Sequence, residues 1–159
     1  MNTDKRLNDC IQEVLRLSLF KTFCEKNDSV NAMQRLRNIY AHSANPIETT
    51  KNLVLNEFQE HISSEDAEQL YLLITAFLKK SNFRKTIPES IRNTLLTSQN
   101  KTCAICGKNI DIHAPIDHII PFKYVGDELS DNYQMLCEAC NSKKNSSIDF
   151  QIRYLLKSI

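Results

Sequence analysis

Apolar residues in the first half of the chain recur every three or four positions with polar residues between them, as amphipathic helices require. Leu7, Ile11, Val14, Leu15, Leu19 and Phe23 form one such stripe and predict a helix over roughly residues 4–26. Asp28-Ser29 offers a cap for a second helix bearing Val30, Met33, Leu36 and Tyr40. Asn45-Pro46 reads as an N-cap followed by proline at the first helical position, where its missing N–H costs nothing. That third helix carries Leu53, Val54 and Phe58. Ser63 and Asp66 have capping-box spacing ahead of Leu70, Leu73, Ile74 and Phe77. Four amphipathic helices predict a small bundle, with Ser81-Asn82-Phe83-Arg84-Lys85 as the linker that follows it.

The pattern changes at Pro88. A helix over roughly residues 88–99 (Ile91, Leu95, Leu96) leads to Asn100-Lys101-Thr102. Ile116-Asp117-His118-Ile119-Ile120, closed by Pro121, reads as a short strand. A polar loop with Gly126-Asp127-Glu128 follows, and Tyr133-Gln134-Met135-Leu136 alternates well enough for a second strand. Glu138 to about Asn145 reads as a short helix. Ser147 is placed to cap a last helix with Ile148, Ile152, Leu155 and Leu156, and Lys157 suits its negative end. The expected organisation is an α-helical region over residues 1–86 and a mixed α+β domain over residues 87–159, mainly helical overall.

The 159 residues include two glycines and four prolines, which argues against long disordered linkers. No apolar run is long enough to span a bilayer, so no membrane association is expected. The stretch Met1-Asn2-Thr3-Asp4-Lys5-Arg6 lacks a signal-peptide pattern, and a cytoplasmic protein is the expectation. The net charge of +1 provides no general attraction to nucleic acid, which rests on many Lys/Arg–phosphate contacts. Any grip on a polyanion must be local, or come from a protein partner or a second copy bound through the N-terminal helices.

Four of the six cysteines fall in two pairs, Cys103-Ala-Ile-Cys106 and Cys137-Glu-Ala-Cys140. In a cytosolic chain such pairs read as metal ligands. Two C-x-x-C turns complete a tetrahedral thiolate site, so a structural Zn²⁺ is expected, with no position left for a reactive water. Cys10 and Cys24, fourteen residues apart, return to nearly one helix face and read as core thiols.

Asp117, His118, Asn132 and Asn141 interleave with these cysteines, and Lys144 lies one turn beyond Asn141. Asp117 and Asn141 offer oxygen ligands of the kind that suits Mg²⁺ or Mn²⁺ rather than zinc. His118 is chemically suited to take a proton from water. Asn141 and Lys144 share a helix face, so one suits a metal and the other a phosphate. A regular strand, however, sends Asp117 and His118 to opposite faces, so the two cooperate only if the strand twists or breaks there.

Cys-x-x-Cys-Gly at 103–107, Asp-His-Ile-Ile-Pro at 117–121, Asn132, and Leu-Cys-x-x-Cys-Asn-x-x-Lys at 136–144 together resemble the HNH endonucleases. The resemblance covers roughly residues 88–147 and implies a ββα-metal module braced by the four-cysteine zinc site. It implies Asp117 and Asn141 as ligands of the catalytic metal and His118 as general base. Asn132 would order the loop and help orient the histidine, and Lys144 would lie near the phosphate. The implied reaction is one-metal phosphodiester hydrolysis, in DNA rather than RNA, in restriction or phage defence. The chain departs from many relatives in having Gly126 alone after the proline, and Asn145 where glycine is frequent.

Two other readings compete. Arg37-Asn38-Ile39-Tyr40-Ala41-His42 resembles the Arg-x4-His signature of HEPN-type ribonucleases, although an exposed helix end accounts for the same residues. A zinc-stabilised nucleic-acid-binding or adaptor module without catalysis is the second. His61 reads as a helix-end residue and His113 as a loop residue.

Overall fold

The computed structural model describes residues 3–158. Met1 and Asn2, part of the stretch read for a targeting signal, and Ile159 lie outside them. The described residues divide into two compact units, 3–79 and 80–158.

The first unit contains α1 (Thr3–Asn27), α2 (Val30–Ala41), α3 (Pro46–Phe58) and α4 (Ser64–Lys79). Their starts follow local chemistry. Ser29 Oγ accepts from the Ala32 N–H, and Asn45 Oδ1 accepts from the Ile47 and Glu48 N–H groups. Ser63 Oγ accepts from the Asp66 N–H. Each such cap stabilises its helix by about 1 kcal/mol. α4 packs against the other three helices. Phe20, Phe23, Leu36, Val54, Leu70, Ile74 and Phe77 fill the core, each fully buried apolar side chain contributing roughly 1.5–3 kcal/mol. Cys24 is buried and Cys10 half-buried. The early part of the α1 stripe, Leu7, Ile11 and Leu15, remains 39–54% exposed, because the described helices of this unit leave it uncovered. His61 lies in the exposed loop between α3 and α4 rather than on a helix end.

The second unit contains α5 (Glu89–Ser98), β1 (Ile116–His118), α6 (Phe122–Val125), β2 (Tyr133–Met135), α7 (Glu138–Lys144) and α8 (Ile148–Leu156). β1 and β2 pair antiparallel, with Ile116 opposite Met135, Asp117 opposite Gln134 and His118 opposite Tyr133. The sheet is hydrogen-bonded to the end of α5 through Gln99. Gln99 accepts from the Met135 N–H at 2.8 Å and donates to the Met135 and Thr102 carbonyls at 2.9 Å.

Residues 81–85, expected to be a linker, belong to this unit together with Lys80 before them. Lys80 Nζ donates to the Lys123 carbonyl at 2.7 Å, and the Lys85 N–H donates to Asp127 Oδ2 at 2.7 Å. β1 stops at His118, two residues short of the expected strand, because Asn132 takes both backbone groups of Ile120. The residues expected to open a loop after Pro121 form α6 instead. Ser147 occupies the N-cap position of α8 without a side-chain capping bond.

Candidate active site

The thiols come together as their spacing implies. One sulfur each from Cys103, Cys106, Cys137 and Cys140 lie within 4.8 Å of one another, and Cys106 and Cys137 Sγ are 3.7 Å apart. Tetrahedral Zn–S bonds of about 2.3 Å place sulfurs roughly 3.8 Å apart, so the cluster has the dimensions of a zinc site. The first pair sits in a tight hairpin, bridged at Thr102 and Asn109 and turned at Gly107 (φ +72°). The second pair opens α7. Burial works against ionisation of Cys103, but N–H groups of Cys106, Cys137 and Ile105 outweigh it and bring the thiol down to about 6. Cys140 is pushed up to about 12, first by burial and then by the neighbouring sulfurs. Four thiolates this close ionise together only around a cation. Leu136, Ile105 and Ile110 pack around the cluster, so it forms a small core of its own.

β1, β2 and α7 form a ββα unit, and the polar residues singled out in the sequence lie on it or on its connection. Asp117 and His118 address different neighbours, as the pleat requires. Asp117 Oδ2 is 2.8 Å from Lys144 Nζ and 3.4 Å from Gln134 Nε2. His118 is 7% exposed, and its ring packs edge-on against Phe122 at 5.5 Å and tilted against Tyr133 at 5.0 Å. Its Nε2 is 2.7 Å from Asp127 Oδ1. The same carboxylate oxygen accepts from the Tyr133 hydroxyl at 2.8 Å.

Burial alone would raise the Asp127 carboxyl, but donation by the Lys85 N–H, His118 and Tyr133 outweighs it and holds it below its ordinary value. Burial, together with the adjacent Asp127, pushes Tyr133 up to about 12. Asp127 was hidden in a stretch that reads as a polar loop. No spacing rule connects it to His118, and Gly126 before it (φ +57°) was the only local sign of a special backbone.

Asn132 is buried; its Oδ1 accepts from the Ile120 N–H at 2.7 Å and its Nδ2 donates to the Ile120 carbonyl at 2.8 Å. It clamps the exit from β1, immediately after the histidine. Lys144 departs from the role the resemblance implied. It is 0% exposed, and its ammonium bonds Asp117 and, at 2.6 Å, the His118 carbonyl, so in this geometry it positions β1 instead of reaching a phosphate. Asn141, half-buried, lies one helical turn before Lys144, which puts it on the helix face turned toward β1.

Arg37 and His42 have structural work in the first unit. Arg37 Nε and Nη2 donate to the Leu78 carbonyl at 3.1 and 2.6 Å, satisfying the end of α4. His42 Nδ1 is 2.8 Å from the Asn38 carbonyl at the end of α2. His113 is exposed, in a turn in which Asp111 accepts its backbone N–H.

The second unit combines a four-cysteine cluster of zinc-site dimensions with a ββα unit whose first strand ends in Asp117-His118. Residues 103–147 match the model of the HNH endonuclease family. No curated protein and no solved structure matches the chain. Among the described residues, no helix is long and apolar enough to cross a membrane.

Proposed function

We propose that the protein is a metal-dependent endonuclease that hydrolyses phosphodiester bonds in DNA, with His118 as the general base. The observation that carries this reading is the HNH match over residues 103–147, whose ββα unit holds Asp117, His118 and Asn141. Asp117 and Asn141 would hold Mg²⁺ or Mn²⁺. One carboxylate and one amide oxygen suit a cation that keeps most of its ligands as water and phosphate. When bound, the ion supplies positive charge at the phosphoryl group and at the departing 3′ oxygen. His118 takes a proton from the attacking water, Lys144 holds the His118 carbonyl, and Asn132 fixes the chain two residues further on at Ile120.

The test is cleavage of plasmid DNA and of structured RNA with Mg²⁺ or Mn²⁺ by the wild type, His118→Ala and His42→Ala. DNA cleavage is expected to fall about 10²–10⁴-fold in His118→Ala and to persist in His42→Ala. Undiminished DNA cleavage by His118→Ala refutes the mechanism. RNA cleavage lost only in His42→Ala would move the activity to the helical unit, and DNA binding without cleavage would leave a binding module. Exposed Leu7, Ile11 and Leu15 also support a second copy or a protein partner docking on α1.

A further inference from the structure

We propose that Asp127 is the positioning residue of His118, holding its Nε2–H tautomer so that Nδ1 is the atom that takes the proton. The inference rests on the nuclease reading above and concerns which nitrogen acts. Asp127 is nearly sealed from solvent, its side chain 3% exposed. It faces three groups: the Lys85 N–H at 2.7 Å on Oδ2, and the Tyr133 hydroxyl at 2.8 Å and His118 Nε2 at 2.7 Å on Oδ1. A backbone N–H can only donate, and a phenol beside a carboxylate donates. A carboxylate surrounded by donors stays ionised and offers acceptor capacity only. His118 Nε2 must therefore carry the hydrogen, and a neutral imidazole with Nε2–H has its basic lone pair on Nδ1.

Orientation is fixed by the same contacts. The ring is packed between Phe122 and Tyr133, so it cannot turn Nε2 away without losing Asp127. Asp127 is itself held from residues 80–85. A Cβ at Gly126 would stand 3.2 Å from Lys80 Cβ, so that segment lies close against the loop there, and Lys85 supplies the N–H to Asp127 one residue on. The segment between the helical unit and α5 is thus part of the histidine's support. In the reaction the water O–H bond breaks as its proton passes to Nδ1. The oxygen forms the new bond to phosphorus, and the P–O3′ bond breaks with its electron pair on the 3′ oxygen, which solvent protonates. Asp127 stays ionised throughout and stabilises the imidazolium, which then returns its proton to solvent.

The experiment uses the full-length, zinc-loaded protein with Mg²⁺ and compares wild type, Asp127→Asn, Asp127→Glu and Tyr133→Phe. Ring ¹⁵N spectra, with His118 assigned by its loss in His118→Gln, read the tautomer directly. The wild type is expected to show Nε2–H. Asp127→Asn, whose amide can donate to Nε2, is expected to shift the ring toward Nδ1–H and to lower kcat about 10²-fold or more. KM and zinc content should stay near wild type, and Asp127→Glu should recover part of the loss. Tyr133→Phe, which keeps two of the three donors, should retain the tautomer. An Nδ1–H ring in an active wild type overturns the inference alone, and this arm needs no variant to fold. Unchanged kcat in Asp127→Asn also overturns it. A wild type that cleaves no nucleic acid overturns its catalytic part together with the nuclease reading, whatever the tautomer.

Discussion

Lys144 shows how one buried charge can connect two parts of a site. Its ammonium is sealed from solvent and bridges the Asp117 carboxylate and the His118 carbonyl. Removing one partner of a fully buried pair costs roughly 3–5 kcal/mol, but Asp117 keeps 18% exposure and some hydration. Lys144→Met is therefore expected to lose about 1–3 kcal/mol in urea denaturation. Mn²⁺ should stabilise the variant more than the wild type, because the ion replaces the lost positive charge beside Asp117; equal shifts would count against Asp117 as a ligand. Asn145 is the opposite case, a residue in a conformation that favours glycine (φ 49°, ψ −143°). Strain there costs about 1–3 kcal/mol, so Asn145→Gly should raise the melting temperature by a few degrees, and a lowered one would show that the side chain matters more than the backbone. Asp127 and Tyr133 together give a pH dependence of known sign. The lowered Asp127 contributes stability above the ordinary carboxylate range that is lost as pH falls through its folded value. The raised Tyr133 contributes stability below about pH 10 that is lost as pH rises toward 12. Denaturation followed against pH should show both limbs, and Tyr133→Phe should remove the contribution of this tyrosine to the alkaline one.

At the scale of elements, the four-cysteine cluster is the feature on which the second unit is expected to depend, through a structural zinc. Binding of structural zinc is worth on the order of 10 kcal/mol, comparable to the whole stability of a domain of this size. A strong chelator, or Cys103→Ser, should therefore unfold β1, β2 and α7, while the helices of the first unit, which contain none of the four ligands, keep their circular-dichroism signal. A single transition unaffected by chelation would refute a structural metal. The same contrast between local and long-range causes explains what was legible in the sequence. The caps at Ser29, Asn45 and Ser63 act within three residues, and the starts of the helices they begin were readable to within a residue or two. The cysteine pairs and the presence of two short strands were readable because ligand spacing and strand composition are also local. α6 was not, since four residues carry no helical period. The end of β1 depends on a side chain twelve residues away, Asn132, and the support of His118 depends on Asp127 and on Lys85 before α5. These contacts form only when the chain path is complete.

For the whole molecule, the near-neutral total conceals an uneven distribution. Residues 80–158 hold 11 basic and 8 acidic side chains, and residues 1–79 hold 9 and 11. Besides the buried Lys144, basic residues with contacts around the loop after His118 are Lys80, Arg84, Lys85 and Lys123, with Arg84 over the Phe122 ring at 4.8 Å. If these meet phosphates, one copy of the chain neutralises about four, and log K should fall with log salt at a slope of about −3.6. Between 50 and 200 mM salt that is a loss of about 100-fold or somewhat more, milder than for proteins with a broad basic face. Two copies joined through Leu7, Ile11 and Leu15 would engage twice as many phosphates and steepen the slope to about −7. The expectation is the steeper slope in the wild type. The shallower one should appear once this apolar stripe is broken by Ile11→Lys with Leu15→Lys, which lie far along the chain from the HNH segment. Fluorescence anisotropy on a short duplex with Ca²⁺ in place of Mg²⁺ measures the slope, and sedimentation at the same salt counts the copies. A slope near −3.6 in a wild type that sediments as a monomer would refute self-association and leave DNA binding to the four basic residues of the second unit alone.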